Sequence, residues 1–134
     1  MRRSRSKPIS IAVAVVRHEG QVLIGQRPAG VELAGFWEFP GGKVQADETL
    51  EQAAMRECLE ETELAIRILR TETDVTHHYD FGLVKIRFFA AEPANPEHVP
   101  RAPFRWVPIS DLPNYPFPPA NAVVLEYLAE GDRR

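Results

Sequence analysis

Three glutamates and one arginine lie close together near the middle of the chain, at Arg56, Glu57, Glu60 and Glu61. On an α-helix, residues three and four positions apart are neighbours, so the three carboxylates would share one arc of its surface and repel each other. Seven acidic residues lie between positions 47 and 63, and Arg56 is the one basic residue there to oppose them. This charge pattern predicts a bound divalent cation.

The carboxylates also share their arc with apolar residues, since a helical wheel places Leu50, Ala53, Ala54 and, at one edge, Cys58 beside them. Charge on a core-facing stripe usually indicates function, because burying an unpaired charge is costly. Several oxygen ligands, with no histidine pair or cysteine cluster in this segment, favour Mg²⁺ or Mn²⁺ over Zn²⁺, and Mg²⁺ is commonly shared with substrate phosphates. The pattern predicts a phosphate ester or anhydride as substrate. The alternative to a metal site is a solvated surface helix that happens to be acidic.

Local signals place these residues on a helix that follows a turn. Thr49 and Gln52 are spaced as a capping box, and the residues after them are good helix formers, which predicts a helix over residues 50–63. Residues 39–42 read Phe-Pro-Gly-Gly and predict a turn in which glycine lets the backbone approach a ligand. Turn and helix together form the predicted site.

The segment resembles the Nudix box, G-x5-E-x7-R-E-U-x-E-E-x-G-U, where U is a bulky aliphatic residue. The positions that fit in register are Gly42, Glu48, Arg56, Glu57, Glu60, Glu61 and Leu64. Cys58 stands where an aliphatic residue is usual, and Glu63 stands where the family has glycine. Glycine there takes a left-handed conformation that costs other residues about 1 to 2 kcal/mol. Glu63 therefore predicts a reshaped or strained helix end.

The resemblance implies roles for residues of this motif. It makes the Gly41 carbonyl and the carboxylates of Glu57, Glu60 and Glu61 metal ligands, and it pairs Arg56 with Glu48 to orient them. The metal it implies is Mg²⁺, with Mn²⁺ as a substitute. Family members differ in whether a helix glutamate or a loop glutamate acts as the catalytic base, and that choice stays open here. Weak loop candidates are Glu97 and His98.

Two further segments resemble MutT-like members of the family: residues 37–43, read as Trp-Glu-Phe-Pro-Gly-Gly-Lys, and residues 117–121, read as Phe-Pro-Pro-Ala-Asn. In the second, Asn121 can both donate and accept hydrogen bonds and so read a purine edge, the alternative being an ordinary capping asparagine. Phe117 would wall the pocket or simply pack. Arg27 aligns with a phosphate-contacting arginine, although a lone arginine is more often solvated.

The resemblance implies an enzyme, a Mg²⁺-dependent nucleoside triphosphate pyrophosphohydrolase that releases a monophosphate and pyrophosphate. The MutT-like segments favour an oxidised purine such as 8-oxo-dGTP and a role in cleansing the nucleotide pool. A pyrimidine nucleotide pyrophosphohydrolase acting on CTP or modified dCTP is the alternative within the family. A noncatalytic nucleotide or oxidised-base recognition domain is the alternative from another class.

Length and composition favour one compact domain. With 134 residues and 44% hydrophobic content, we expect a flexible basic tail over residues 1–8 and a single domain over residues 9–134. Strands are predicted over residues 9–17, 21–26, 36–39, 65–73, 76–80, 83–92 and 106–109, and a second helix over residues 120–129. In that helix Val124, Tyr127 and Leu128 form one apolar stripe. The expected fold class is α+β, the alpha/beta/alpha sandwich with a mixed sheet that the resemblance implies.

Charge and hydropathy limit the expected partners. A net charge of −3 gives no case for binding intact nucleic acid, and the apolar run over residues 9–16 is too short to span a membrane. His77, His78 and Tyr79 could line the entrance to the site, although a histidine pair carries little specific information and these residues stay unassigned. A single cysteine is compatible with a reducing compartment, so we expect a cytoplasmic protein that is a monomer or a homodimer.

Overall fold

A computed structural model describes residues 8–132, so all but one residue of the predicted basic tail lies outside the described part of the chain. Seven strands and two α-helices are present there. In chain order they are β1 (Ile9–His18), β2 (Gln21–Gln26), β3 (Trp37–Glu38), β4 (Gly41–Lys43), α1 (Leu50–Thr62), β5 (Ile66–Tyr79), β6 (Gly82–Pro93), β7 (Arg105–Pro108) and α2 (Ala122–Asp132).

The strands form one mixed sheet in the order β3, β2, β1, β6, β5. β1 runs parallel to β6 and antiparallel to β2. Two strands lie outside this order: β4 pairs with β1 and β7 pairs with β2, both antiparallel. A sheet with both strand directions and a helix on each face confirms the α+β class. No helix within residues 8–132 is both long and apolar enough to cross a membrane.

The side chains of β1 alternate between two cores, one on each face of the sheet. Val13 and Val15 pack into the core that includes Val124 and Leu128 of α2. On the other face, the small side chains of Ala12 and Ala14 join Ala53, Ala54 and Cys58 of α1. Because successive residues of a strand point to opposite faces, this one strand supports both helices, and its alanines let α1 approach the sheet closely.

The largest difference between the predicted and the observed strands is in β5. Residues 65–73 and 76–80 were expected as separate strands, but Ile66–Tyr79 forms one strand along β6, with irregular register near Leu69 and Glu72. Two β-bulges absorb the extra residues, and Asp74 and Val75, where the break was expected, pair with Arg87 and Ile86 of β6. His77, His78 and Tyr79 accordingly lie in this strand, as the strand predicted over residues 76–80 leads us to expect.

The prediction of a turn over residues 39–42 was also wrong in part. Gly41–Lys43 forms a strand that pairs with Ile11, Ala12 and Val13 of β1. This strand is only three residues long, which is too short for a pattern of alternating hydrophobicity to reveal.

The second helix begins later than predicted. Pro119–Asn121 forms a 3-10 turn, in which the Asn121 N–H donates to the Pro118 carbonyl at 3.0 Å, and the α-helix starts at Ala122. Val124 and Leu128 are buried as expected, but Tyr127 is 48% exposed and does not belong to the apolar stripe. A further 3-10 helix, Ile109–Asn114, was not predicted.

Candidate active site

The start of α1 is fixed by a capping box at Thr49. The Thr49 hydroxyl accepts a hydrogen bond from the Gln52 backbone N–H at 3.0 Å, and the Gln52 side chain accepts one from the Thr49 N–H at 2.8 Å. These bonds satisfy amides that would otherwise lack partners at the helix start. The cap predicted from the sequence is therefore confirmed, and it fixes where the helix that carries the glutamates begins.

Two of the three helix glutamates lie against the backbone of β4. The Gly41 N–H donates to Glu61 Oε1 at 3.1 Å. A Cβ atom at Gly42 would overlap the Glu57 carboxyl group, and one at Gly41 would lie 2.5 Å from the Ala12 carbonyl oxygen. Glycine at position 42 therefore lets the Glu57 carboxylate come this close to the strand, and glycine at position 41 lets β4 pack closely on β1.

Arg56 connects the carboxylates to one another and to the segment before the helix. Its guanidinium donates to both oxygens of Glu48, at 2.6 and 3.0 Å, and to the Lys43 carbonyl at 3.0 Å. It also contacts Glu57 at 3.3 Å and Glu60 at 3.2 Å. The hydrogen bond from Arg56, followed by one from the Gln45 N–H, lowers the pKa of Glu48, so that carboxylate stays ionised.

The protein environment disfavours negative charge on Glu57 and Glu61. Burial raises the pKa of Glu61 to about 7, and the nearby carboxylates of Glu38, Glu57 and Glu60 add to the shift against the hydrogen bond from Gly41. Burial also raises the pKa of Glu57, although Arg56 opposes it. Partly buried carboxylates that repel each other are a site where a cation would be favourable.

These carboxylates fit a hard divalent cation by their chemistry. They offer oxygen donors beside the Gly41–Gly42 backbone, which suits Mg²⁺ or Mn²⁺ better than Zn²⁺. Within residues 8–132, however, no three histidine, cysteine, aspartate or glutamate side chains are gathered as a ready ligand set. Glu60 is the outlying member, because its side chain is 59% exposed and turned toward Arg56.

Glu38 is a site residue that the sequence reasoning passed over. Its carboxylate is close enough to raise the pKa of Glu61 and accepts a hydrogen bond from Arg27 Nη1 at 2.8 Å. Arg27 also donates through Nε to the Glu32 carbonyl at 2.8 Å. The predicted phosphate-binding arginine is thus brought beside the glutamate cluster through Glu38. The sequence feature that could have identified Glu38 is its position between Trp37 and Phe39, as a charged residue in an otherwise apolar segment.

The predicted base-binding residues lie on the α2 side of the sheet. The ring of Phe117 is 5.0 Å from that of Phe39 and packs with it against the core. Asn121 is half-buried, and its side-chain amide donates to the Pro118 carbonyl at 3.2 Å. Phe39 follows Glu38 directly, so adjacent residues of one segment reach the carboxylate cluster and the aromatic wall.

The weaker candidates lie elsewhere. Glu97 and His98 are exposed on the connection between β6 and β7, and the hydrogen bonds found for them run to Asn95 in that same connection. His77 packs on Tyr79 with ring centroids 4.6 Å apart, near the turn between β5 and β6.

Known proteins share this architecture and sequence. The crystal structure of a MutT NUDIX hydrolase from Burkholderia pseudomallei superposes with a TM-score of 0.73 and 27% identity, over 90% of this chain and 98% of that one. An 8-oxo-dGTP diphosphatase from Haemophilus influenzae is 38% identical over 130 residues, covering 91% of this chain and 92% of the relative. A CTP pyrophosphohydrolase from Escherichia coli is 47% identical over 55 residues, 41% of each chain.

The match to a family model covers most of the chain and includes both β4 and α1. The model described as NUDIX domain spans residues 12–127, from β1 into α2. Together with the relative that aligns over nine-tenths of the sequence, it accounts for the sheet, the capped helix and the glycine pair in one architecture. The chain belongs to the Nudix family.

Proposed function

We propose that this protein is a Mg²⁺-dependent nucleoside triphosphate pyrophosphohydrolase that converts an oxidised purine nucleotide such as 8-oxo-dGTP to its monophosphate and pyrophosphate. The observation that carries the proposal is the approach of the Glu57 and Glu61 carboxylates to the glycine backbone of β4, with Arg56 and Glu48 behind them. The 8-oxo-dGTP diphosphatase that aligns over nearly the whole chain supports the substrate class.

In this proposal Glu57, Glu60, Glu61 and the Gly41 carbonyl hold the metal. When bound, a divalent ion lowers the pKa of water and offsets phosphate charge during substitution at phosphorus. Metal binding by Glu57 and Glu60 would compete with their contacts to Arg56, which are 3.3 and 3.2 Å long. Arg56 keeps its shorter bonds to Glu48 and therefore stays in place to orient the carboxylates.

Arg27 is proposed to bind the phosphates from its position next to Glu38, beside the glutamate cluster. Its guanidinium is half-buried and is held by Glu38 and the Glu32 carbonyl. These contacts set the direction of the side chain while leaving it partly exposed to a ligand. A guanidinium suits this role because it presents several donors in a planar fork that matches phosphate oxygens.

Phe117 and Asn121 are proposed to bind the base. Phe117 is fixed by its packing on Phe39, which gives a rigid aromatic wall. Because the Asn121 side-chain nitrogen donates to Pro118, the amide is held in one orientation, with its oxygen left to accept from a base. An oriented amide can distinguish purine edges by the pattern of donors and acceptors.

Pyrimidine substrates are the second candidate, and the relative named CTP pyrophosphohydrolase favours them. That match covers 41% of each chain, whereas the 8-oxo-dGTP diphosphatase aligns over 91% of this chain. An alignment over 91% of this chain must include the Phe117 to Asn121 segment, so the purine assignment is preferred.

The test is pyrophosphate release in Mg²⁺ from 8-oxo-dGTP, dGTP, CTP and modified dCTP, compared by kcat/KM. We expect the highest value for 8-oxo-dGTP. A higher value for a pyrimidine nucleotide would reassign the enzyme to the second candidate. Tight nucleotide binding without hydrolysis of any of them would contradict catalysis and make the protein a recognition domain.

A further inference from the structure

The C-terminal end of α1 concentrates negative charge. Its last turn reads Leu59, Glu60, Glu61 and Thr62, and Glu63 follows directly. The final carbonyls of a helix have no partners within it, and the helix dipole places partial negative charge at the same end. The proposed ligands Glu60 and Glu61 therefore stand where the helix most needs donors or a cation from elsewhere in the fold.

Glu63 ends the helix in a conformation that favours glycine. Its backbone has φ 67° and ψ 11°, in the left-handed region, and its N–H donates to the Leu59 carbonyl at 2.9 Å. The left-handed end expected for glycine is thus kept in this chain, although a glutamate side chain adds strain there. Such a residue is held only where its surroundings stabilise it.

Arg101 supplies that stabilisation from the connection between β6 and β7. Its backbone N–H donates to the Thr62 carbonyl at 2.9 Å, and its guanidinium donates to Glu63 Oε2 at 3.0 Å and to the Glu60 carbonyl. One residue therefore meets two of the terminal carbonyls and the carboxylate that replaces glycine. A planar guanidinium can bridge such acceptors, whereas an ammonium group acts as a single point charge.

The turn that Arg101 holds is also fixed from inside. Thr62 is fully buried, and its hydroxyl donates to the Cys58 carbonyl at 2.7 Å and accepts from the Leu64 N–H at 3.1 Å. An exposed ion pair alone contributes little to stability. Here the guanidinium also donates to the Glu60 carbonyl, so Arg101 contacts the backbone of the turn that carries the Glu60 and Glu61 side chains.

We propose that Arg101 is a positioning residue for the glutamates at the end of α1, and that Glu63 is the residue that holds Arg101 there. The inference rests on the proposed function, since it assigns these glutamates to a metal. The ion pair between Arg101 and Glu63 joins the connection between β6 and β7 to the C-terminal end of α1. The pair does not touch substrate in this assignment.

The test compares Arg101→Ala, Arg101→Lys and Glu63→Gly with the parent in direct titration by Mn²⁺ and in thermal unfolding of the metal-free protein. We expect Arg101→Ala to weaken Mn²⁺ binding about tenfold, the effect typical of residues that orient ligands, and Arg101→Lys to recover part of that loss. Glu63→Gly should weaken Mn²⁺ binding about threefold while Tm stays within about 2 °C of the parent, because relief of strain offsets the lost pair.

Arg67→Ala is the matched control, since Arg67 forms an equally long exposed pair with Glu92, at 3.0 Å between β5 and β6. It should leave Mn²⁺ affinity unchanged. If Arg101→Ala lowers Tm but keeps Mn²⁺ affinity within twofold of the parent, Arg101 is only a stabilising residue and the proposal is wrong. Absence of Mn²⁺ binding by the parent would overturn it as well, whereas a parent that binds Mn²⁺ but hydrolyses no nucleotide would contradict only the proposed function.

Discussion

Glu57 and Glu48 show how position decides what a carboxylate can do. Glu48 receives two short hydrogen bonds from Arg56 and one from the Gln45 N–H, which favour its charged form. Glu57 has only a longer contact to the same arginine and is desolvated against Gly42. Glu48 is therefore the partner that orients Arg56. The charge of the Glu57 carboxylate is less fully compensated by protein groups, so a cation bound there would be favourable.

Glutamine in place of Glu57 or Glu61, both half-buried, tests the ligand assignment. Glu57→Gln and Glu61→Gln keep the shape of the side chain but remove the charge that the proposed metal requires. We expect kcat with Mg²⁺ to fall by about 100-fold or more in each. The fold should be retained, as judged by thermal unfolding without metal. Near-normal Mg²⁺-dependent rates in both variants would remove these residues from the ligand set.

The raised pKa of Glu61 predicts how metal-free stability depends on pH. Its pKa is about 7 in the fold and 4.5 ordinarily, so folding favours the protonated form. The resulting stability is fully present below pH 4.5 and is lost as pH rises through 7. Relative to Glu61→Gln, the metal-free parent should therefore lose Tm between pH 5 and 8. Parallel Tm curves for the two proteins would show that Glu61 is not desolvated as described.

Among the elements, α1 could be predicted well because its signals are local. Thr49 and Gln52 are three residues apart and cap the same helix turn, so the sequence contains the whole interaction. β4 could not be predicted, because what makes Gly41–Lys43 a strand is its pairing with β1, some thirty residues earlier in the chain. β5 was divided in two for the same reason, since its continuity depends on β6.

A methyl group at Gly42 tests the approach of α1 to β4. The added Cβ of Gly42→Ala would overlap the Glu57 carboxyl group, and the side chain of Glu57 is the part that can move. We expect a loss of kcat of about tenfold or more with a small change in Tm, because the displaced group is a proposed ligand and not part of the core. Gly131→Ala is the control, since a Cβ at Gly131 meets nothing within 4 Å. Equal activity of the two variants would contradict the close approach.

At the scale of the whole molecule, the site residues that sequence reasoning passed over are those whose partners are distant in the chain. Arg101 contacts Glu63, 38 positions earlier in the chain. Glu38 precedes α1 in the chain, and its charge raises the pKa of Glu61 near the end of that helix. Single glutamates and arginines are usually solvated, so nothing local separates these from surface charge. The family motif, by contrast, contains its own spacing, and it was sufficient to locate the glycine pair, the helix and the three glutamates.

The division of the molecule into two faces predicts that metal use and base choice can be changed separately. The carboxylates lie with α1, whereas Asn121 precedes α2 beside the core on the other face. Asn121→Ala should therefore leave the Mg²⁺ concentration for half-maximal rate unchanged and reduce the ratio of kcat/KM for 8-oxo-dGTP over dGTP by about tenfold. Asn114→Ala, at an exposed position of the preceding 3-10 helix, should change neither quantity. Selectivity equal to the parent in Asn121→Ala would exclude this amide from the base pocket, and an altered Mg²⁺ requirement would show that the two faces are coupled.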